Sequence, residues 1–180
     1  MRTLLLAAVA AFLPMGLSEA EAAAPGPGGF VFDSLTGGSL ALDDWRGRPV
    51  LVVNTASLCG FTRQYDDMQA LYDRYRDRGL VVLAVPSGDF RQEKASDAEV
   101  AAFCEVNFSL TFPMTTITPV LGAQAHPFYR WLDQTHGVRP AWNFNKVLIG
   151  GDGALVGHWG STTRPTARAI TRAVEAQLSR

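Results

Sequence analysis

The sequence predicts an α/β fold: a central mixed β-sheet flanked by helices, with a β-hairpin ahead of it. Two observations carry this. An apolar run at Val50–Val53 is followed by a helical pattern and then by a second apolar run, Leu80–Val85. Strand, helix and strand in that order imply a crossover between two parallel strands. Further on, Lys146–Ile149 and Ala154–Trp159 flank Gly151-Asp152-Gly153, a tight turn that makes an antiparallel pair. With 180 residues, 47% hydrophobic and 18% charged, there is room for one domain with a real core.

The first segment, Met1–Ala24, reads as a secretory signal peptide. Arg2 gives the positive start, Leu4–Leu13 is a ten-residue apolar run, and small residues follow around Ala20–Ala24. Ten apolar residues are too few for a stable membrane span, so no lasting membrane insertion is expected. The alternatives for this stretch are an uncleaved anchor or a core helix. Cleavage falls between Ala20 and Ala24, which makes the mature protein periplasmic or secreted. Removing residues 1–24 takes one basic and two acidic residues from totals of 16 and 17, leaving 15 of each. A neutral chain of this kind is not a candidate for nucleic acid. No lipoprotein cysteine stands near the cut.

Pro25-Gly26-Pro27-Gly28-Gly29 is a flexible lead-in. Phe30–Phe32 and Ser39–Leu42, joined through Thr36-Gly37-Gly38, form the predicted hairpin. The strand at Val50–Val53 is mostly β-branched and follows the turn Arg46-Gly47-Arg48-Pro49. After it, Phe61, Tyr65, Met68, Tyr72 and Tyr75 keep to one face of a helix that runs to about Asp77 and stops at Gly79. The charges of that helix, among them Asp66, Asp67 and Asp73, are read as a solvated face. Cys59 therefore sits on the turn between a strand and a helix, where free N–H groups favour a thiolate. It is equally a candidate for a small buried hydrophobe or half of a structural disulfide.

Pro86–Ala95 is a loop at the same sheet edge as Cys59, where chemistry collects in open α/β sheets. Asp89 lies in it, as a solvated acid or as part of a site. Ser96-Asp97-Ala98-Glu99 is a capping box that opens the next helix. Val100, Phe103, Cys104 and Asn107 share one side of that helix. Cys104, 45 positions after Cys59, is either a packed core thiol or a redox partner. Phe112–Ile117 is extended, Gly122–Pro127 turns, and Phe128–Leu132 starts a short helix. Trp142 and Asn143 precede the strand Lys146–Ile149. Pro165 begins the last helix, with Ala167, Ile170, Val174 and Leu178 buried and Arg164, Arg168 and Arg172 facing solvent. The two cysteines are too far apart for a metal pair and the three histidines are scattered, so no metal site is expected.

Three stretches together resemble the glutathione peroxidase family. Val53-Asn54-Thr55-Ala56-Ser57-Leu58-Cys59-Gly60-Phe61-Thr62 is similar to its active-site segment. Ala141-Trp142-Asn143-Phe144-Asn145-Lys146 is similar to its Trp-Asn-Phe segment. Val85-Pro86-Ser87-Gly88-Asp89-Phe90 falls where Phe-Pro-Cys-Asn-Gln-Phe is usual. The similarity runs from about Phe30 to Pro165. It implies a thioredoxin-like fold over residues 25–180 and a peroxidase in which Cys59 attacks a hydroperoxide and becomes a sulfenic acid. Trp142 and Asn143 match two members of the polar shell around the sulfur.

The match departs from the family at Asp89, where Gln is usual. Ionised, Asp89 raises the Cys59 pKa by repulsion; protonated, it donates a hydrogen bond; turned outward, it pairs with Arg91. Leu58 replaces a polar or basic residue, and Arg63 replaces a frequent proline. Phe103-Cys104-Glu105-Val106-Asn107-Phe108 is similar to the segment that carries the resolving cysteine in the branch working with cysteine alone. The resemblance thus implies a Cys59–Cys104 disulfide, reduced by a thioredoxin-like protein or glutathione. The short connection after Ile117 resembles the monomeric type, and no bound cofactor is implied. Two other readings stand beside the peroxidase: a redox sensor or thiol–disulfide relay, and an exported domain stapled by a structural disulfide.

Overall fold

The structure is a computed structural model that describes residues 29–179. The leader assigned to residues 1–24 lies outside the described residues. An antiparallel hairpin comes first, β1 (Val31–Asp33) with β2 (Ser39–Ala41), paired as Val31↔Ala41 and Asp33↔Ser39. The sheet contains β3 (Val50–Thr55), β4 (Val81–Pro86), β5 (Asn145–Ile149) and β6 (Leu155–Trp159), in the order β4-β3-β5-β6. β3 and β4 are parallel, while β5 is antiparallel to both of its neighbours. The predicted mixed sheet is therefore present. The helices are α1 (Gln64–Tyr75), α2 (Asp97–Phe108), α3 (Pro127–His136) and α4 (Arg168–Leu178).

The central strands are buried on both faces, and alternation sorts their side chains between two cores. Leu51 and Val53 of β3, Val82 and Ala84 of β4 and Leu148 of β5 pack with Tyr65, Met68 and Leu71 of α1, Val100 of α2, and Ile170 and Val174 of α4. Val50, Val52, Val81, Leu83, Val85, Val147 and Ile149 face the other way, onto Phe128, Tyr129 and Leu132 of α3 and onto Phe30 and Phe32 of the hairpin. Each such side chain, fully buried, contributes roughly 1.5–3 kcal/mol. His126 joins α3 to the hairpin. Its Nδ1 accepts from the Phe128 N–H and its Nε2 donates to the Val31 carbonyl at 2.8 Å.

Several boundaries differ from the expectation. Eight residues, 56–63, separate β3 from α1, and the helix ends in a short 3₁₀ turn at Arg76–Arg78 before Gly79, whose φ of 111° only glycine adopts freely. α4 starts at Arg168, three residues after Pro165. The capping box at Ser96 is half as expected. The Ser96 Oγ accepts from the Glu99 N–H, but the Glu99 carboxylate reaches the N–H of Ala95. Asp67 is the clearest correction: it is buried rather than solvated, held by a bidentate pair with Arg164 at 2.6 and 2.7 Å. That partner is 97 residues away, beyond anything helical periodicity reports. Among the described residues no helix is long and apolar enough to cross a membrane.

Candidate active site

β3 delivers the site. Its last turn of chain, Ala56–Arg63, leaves the sheet edge with Cys59 buried at 4% exposure. The Leu58 N–H donates to the Gln92 carbonyl at 2.8 Å, and the Thr62 N–H closes a turn onto the Cys59 carbonyl at 3.1 Å. The N–H groups of Gly60 and Phe61, which follow the sulfur in the chain, donate to no described acceptor. Cys59 lies five residues ahead of α1, and a helix dipole fades within about one turn. The dipole of α1 therefore contributes little at Cys59, and the free amides of its own turn are the donors that this segment offers.

The second wall is the turn 142–145. Asn54, fully buried in β3, holds it with both ends of its side-chain amide and with its carbonyl. Its Nδ2 donates to the Trp142 carbonyl at 3.0 Å, its Oδ1 accepts from the Asn145 N–H at 3.1 Å, and its carbonyl accepts from the Phe144 N–H at 2.6 Å. Ser161 Oγ donates to the Asn143 carbonyl at 2.6 Å. Phe144 takes a left-handed φ of 59°, uncommon for a residue other than glycine. It is kept there by burial and by an edge-to-face contact with Tyr65 at 5.3 Å. Backbone strain of this kind persists where the surroundings fix it, and functional sites are a common place for it.

Asn143 is fully buried. Its Nδ2 donates to Gln92 Oε1 at 3.1 Å, and its Oδ1 has no partner. Trp142 is 40% exposed, with its ring tilted against Phe90 at 5.2 Å. Gln92 therefore touches both walls, through its carbonyl to the Cys59 turn and through its side chain to Asn143. Sequence reasoning missed it. The available signal was its place in the loop at the C-terminal edge of β4.

Asp89 is the residue whose placement differs most. Its Oδ2 accepts the N–H groups of Val120 and Leu121, at 2.6 and 2.8 Å. The outward pair with Arg91 does not form, and the hydrogen bonds beside Asn143 come from Gln92 instead. Two adjacent backbone donors need an anionic or strong acceptor, and Asp89 is the one in reach.

Cys104 is buried in α2, in the same core as Cys59, and both are free thiols. It lines a cavity of about 670 Å³ together with Leu35, Tyr72, Phe112 and Met114. Burial pushes its thiol up to about 11, countered in part by the Tyr65 hydroxyl beside it and reinforced by the charge of Glu93. Glu93 ties to the Cys59 turn through its Oε1, which accepts the Ser57 N–H at 2.9 Å.

The glutathione peroxidase family profile matches residues 29–133. The chain belongs to the glutathione peroxidase family. It is 39% identical over 148 residues to the hydroperoxy fatty acid reductase of Synechocystis sp., covering 76% of this chain and 88% of that one. It is 40% identical over 134 residues to the glutathione peroxidase-like peroxiredoxin of Schizosaccharomyces pombe, covering 72% and 85%. The crystal structure of Trgpx in its apo form superposes with a TM-score of 0.69 at 33% identity, over 87% of this chain and 97% of that one. A thioredoxin family protein from Chlorobium tepidum, 16% identical with a TM-score of 0.62 over 86% and 98%, shares the fold alone. The fold is thus thioredoxin-like, as expected, and the glutathione peroxidase family places the chain among the peroxidases, oxidoreductases acting on peroxide.

Proposed function

We propose that this chain is an exported thiol peroxidase whose Cys59 reduces hydroperoxides and whose Cys104 resolves the oxidised form. The observation that carries the reading is the pair of walls joined by Gln92: one bears a cysteine on a turn with unpaired N–H groups, the other bears Trp142 and Asn143. Attack by the Cys59 thiolate on the terminal peroxide oxygen leaves a sulfenic acid and an alkoxide or hydroxide. The leaving oxygen needs donors and a proton. The Trp142 indole N–H and the amides of Asn143 and Gln92 are the donors in this reading. Asp89 has the supporting task of holding the 120–121 backbone.

The substrate class follows from the rim. Leu58 is 57% exposed and Trp142 is 40% exposed, two of the four large exposed apolar side chains among the described residues. Exposed apolar groups beside a buried reactive atom suit a substrate with a hydrocarbon body. Organic and lipid hydroperoxides fit this rim, and hydrogen peroxide is small enough to enter regardless. The Synechocystis relative is named for a hydroperoxy fatty acid, which agrees.

In the second half-reaction the sulfenic acid condenses with Cys104, and a thioredoxin-like protein or glutathione reduces the disulfide by exchange. A resolving cysteine favours a protein dithiol. The signal peptide reading of residues 1–24 puts this chemistry in the periplasm or outside the cell, with residues 25–180 as a monomeric mature domain. The test is Cys104→Ser. It should retain the first oxidation by peroxide but stall after one turnover when a protein dithiol is the reductant. Full turnover by that variant would remove the resolving role.

A further inference from the structure

The hydrogen bonds around the candidate site close into a ring, and half of that ring lies outside the residues assigned to the reaction. The assigned half is Gln92, whose carbonyl accepts the Leu58 N–H at 2.8 Å and whose Oε1 accepts from Asn143 Nδ2 at 3.1 Å. The other half runs through Ser161, two residues past the end of β6. The Ser161 hydroxyl donates to the Asn143 carbonyl at 2.6 Å, and the Ser161 carbonyl accepts from Gln64 Nε2 at 2.6 Å. Gln64 opens α1, and its own N–H donates to the Phe61 carbonyl at 2.9 Å, which returns the ring to the turn that carries Cys59.

Two neighbours leave this strap a single way to bond. The Lys146 ammonium has donors only, so Gln64 must turn its Oε1 to it and its Nε2 to the Ser161 carbonyl. The same ammonium reaches that carbonyl at 3.3 Å. Asn145 Nδ2 donates to the Ser161 Oγ at 3.1 Å, which leaves the one hydroxyl proton for the Asn143 carbonyl. Gln64, Lys146 and Asn143 are all buried, and hydrogen bonds between buried groups are expensive to leave unmade. The peptide that Ser161 grips is the one before Phe144, whose left-handed φ of 59° persists only with such support.

We propose that Ser161 is a positioning residue for the peroxide step, strapping the Trp142–Asn143 turn to the start of α1 so that both donors are held in place for the leaving oxygen. The inference rests on the peroxidase reading of Cys59. In that step the thiolate sulfur bonds the terminal peroxide oxygen, and the O–O bond breaks. Its electron pair leaves on the other oxygen, which takes a proton from water. The sulfur loses two electrons and the peroxide gains them. Ser161 touches none of these atoms. It acts through the Asn143 peptide, and a displacement of about 1 Å at a reacting centre can cost about a hundredfold in rate.

The test uses the reduced protein carrying Cys104→Ser, so that Cys59 is the only thiol. Two reactions are compared: oxidation by hydrogen peroxide, followed by tryptophan fluorescence, and alkylation by iodoacetamide. Both need the Cys59 thiolate, but alkylation expels iodide and has no leaving oxygen to stabilise. Ser161→Ala should slow oxidation by about tenfold or more, while the rate and the pH midpoint of alkylation stay unchanged. Ser161→Thr, which keeps the hydroxyl, recovers most of the oxidation rate. Gln64→Glu keeps an acceptor for Lys146 and loses the donor to the Ser161 carbonyl. It slows oxidation in the same selective way, and it decides the matter if Ser161→Ala does not fold. Oxidation at the full rate in these variants overturns the assignment. So does an equal loss of oxidation and alkylation, which makes Ser161 a fold residue alone. Absence of fast oxidation with Ser161 and Gln64 intact instead sinks the peroxidase reading itself.

Discussion

Asn54 devotes both ends of its amide to a turn about ninety residues further along the chain. Removing it leaves the Asn145 N–H without its acceptor next to the sulfur-bearing strand. Asn54→Ala should cost about 1–3 kcal/mol in urea denaturation. It should also slow peroxide oxidation several-fold, because Trp142 and Asn143 lose their anchor. An unchanged oxidation rate in a destabilised protein would make Asn54 a fold residue alone. At this scale the sequence was informative where a motif marks a residue: Cys59, Trp142, Asn143 and Cys104 stand out by local context. Gln92 and Glu93 did not, since their roles depend on contacts with Asn143 and Ser57, 51 and 36 residues away. Asp89 was singled out for its position in a motif, but its carboxylate accepts the amides of Val120 and Leu121.

Among the elements, β5 holds the most unusual side chain. Lys146 is fully buried beside Val147, Leu148 and Ile149, with its ammonium donating to Gln64 Oε1 and, at 3.3 and 3.4 Å, to the carbonyls of Ser161 and Gly160. Burial lowers its pKa to about 7, against a smaller raising effect of Asp67. The folded state thus holds this proton less tightly than the unfolded chain does. Below pH 7 both states are protonated and the burial cost is complete; from about 7 towards 10.5 the unfolded chain binds more protons, and folding stability rises with pH. The gain approaches about 1.4 kcal/mol per pH unit at most. Urea denaturation at pH 7.0 to 8.5, below the range where Cys104 ionises, should show this rise in the unaltered protein and lose it in Lys146→Met. The same slope in both would mean that Lys146 is not its source. The sequence located the strand Lys146–Ile149, but nothing local marks its lysine as buried. Only the approach of Gln64 and the 160–161 turn makes its burial tolerable.

For the molecule as a whole, the order of strand, helix, strand and C-terminal hairpin was legible because each element declares itself locally. Apolar runs of four and six residues, a helical stripe and Gly-rich turns suffice for the mixed sheet and its parallel pair. What periodicity omits is the tertiary closure: Gly151 packs so tightly on Gly47 that a Cβ would come within 2.6 Å of its carbonyl carbon, and Arg164 reaches Asp67 to tie the segment before α4 onto α1. The antiparallel pairing of β3 with β5 and the hydrogen bonds of Asn54 bring the turns after β3 and before β5 to one sheet edge, where the loop after β4 joins them. At this edge Cys59 is proposed to be a peroxide-reactive thiol. Stopped-flow tryptophan fluorescence of the reduced protein mixed with hydrogen peroxide or a lipid hydroperoxide, in parallel with Cys59→Ser, tests it most directly. Oxidation is expected to be orders of magnitude faster than that of an ordinary free thiol and to be lost entirely in Cys59→Ser. Oxidation at an ordinary thiol's pace, or a fast phase that survives in Cys59→Ser, would contradict it.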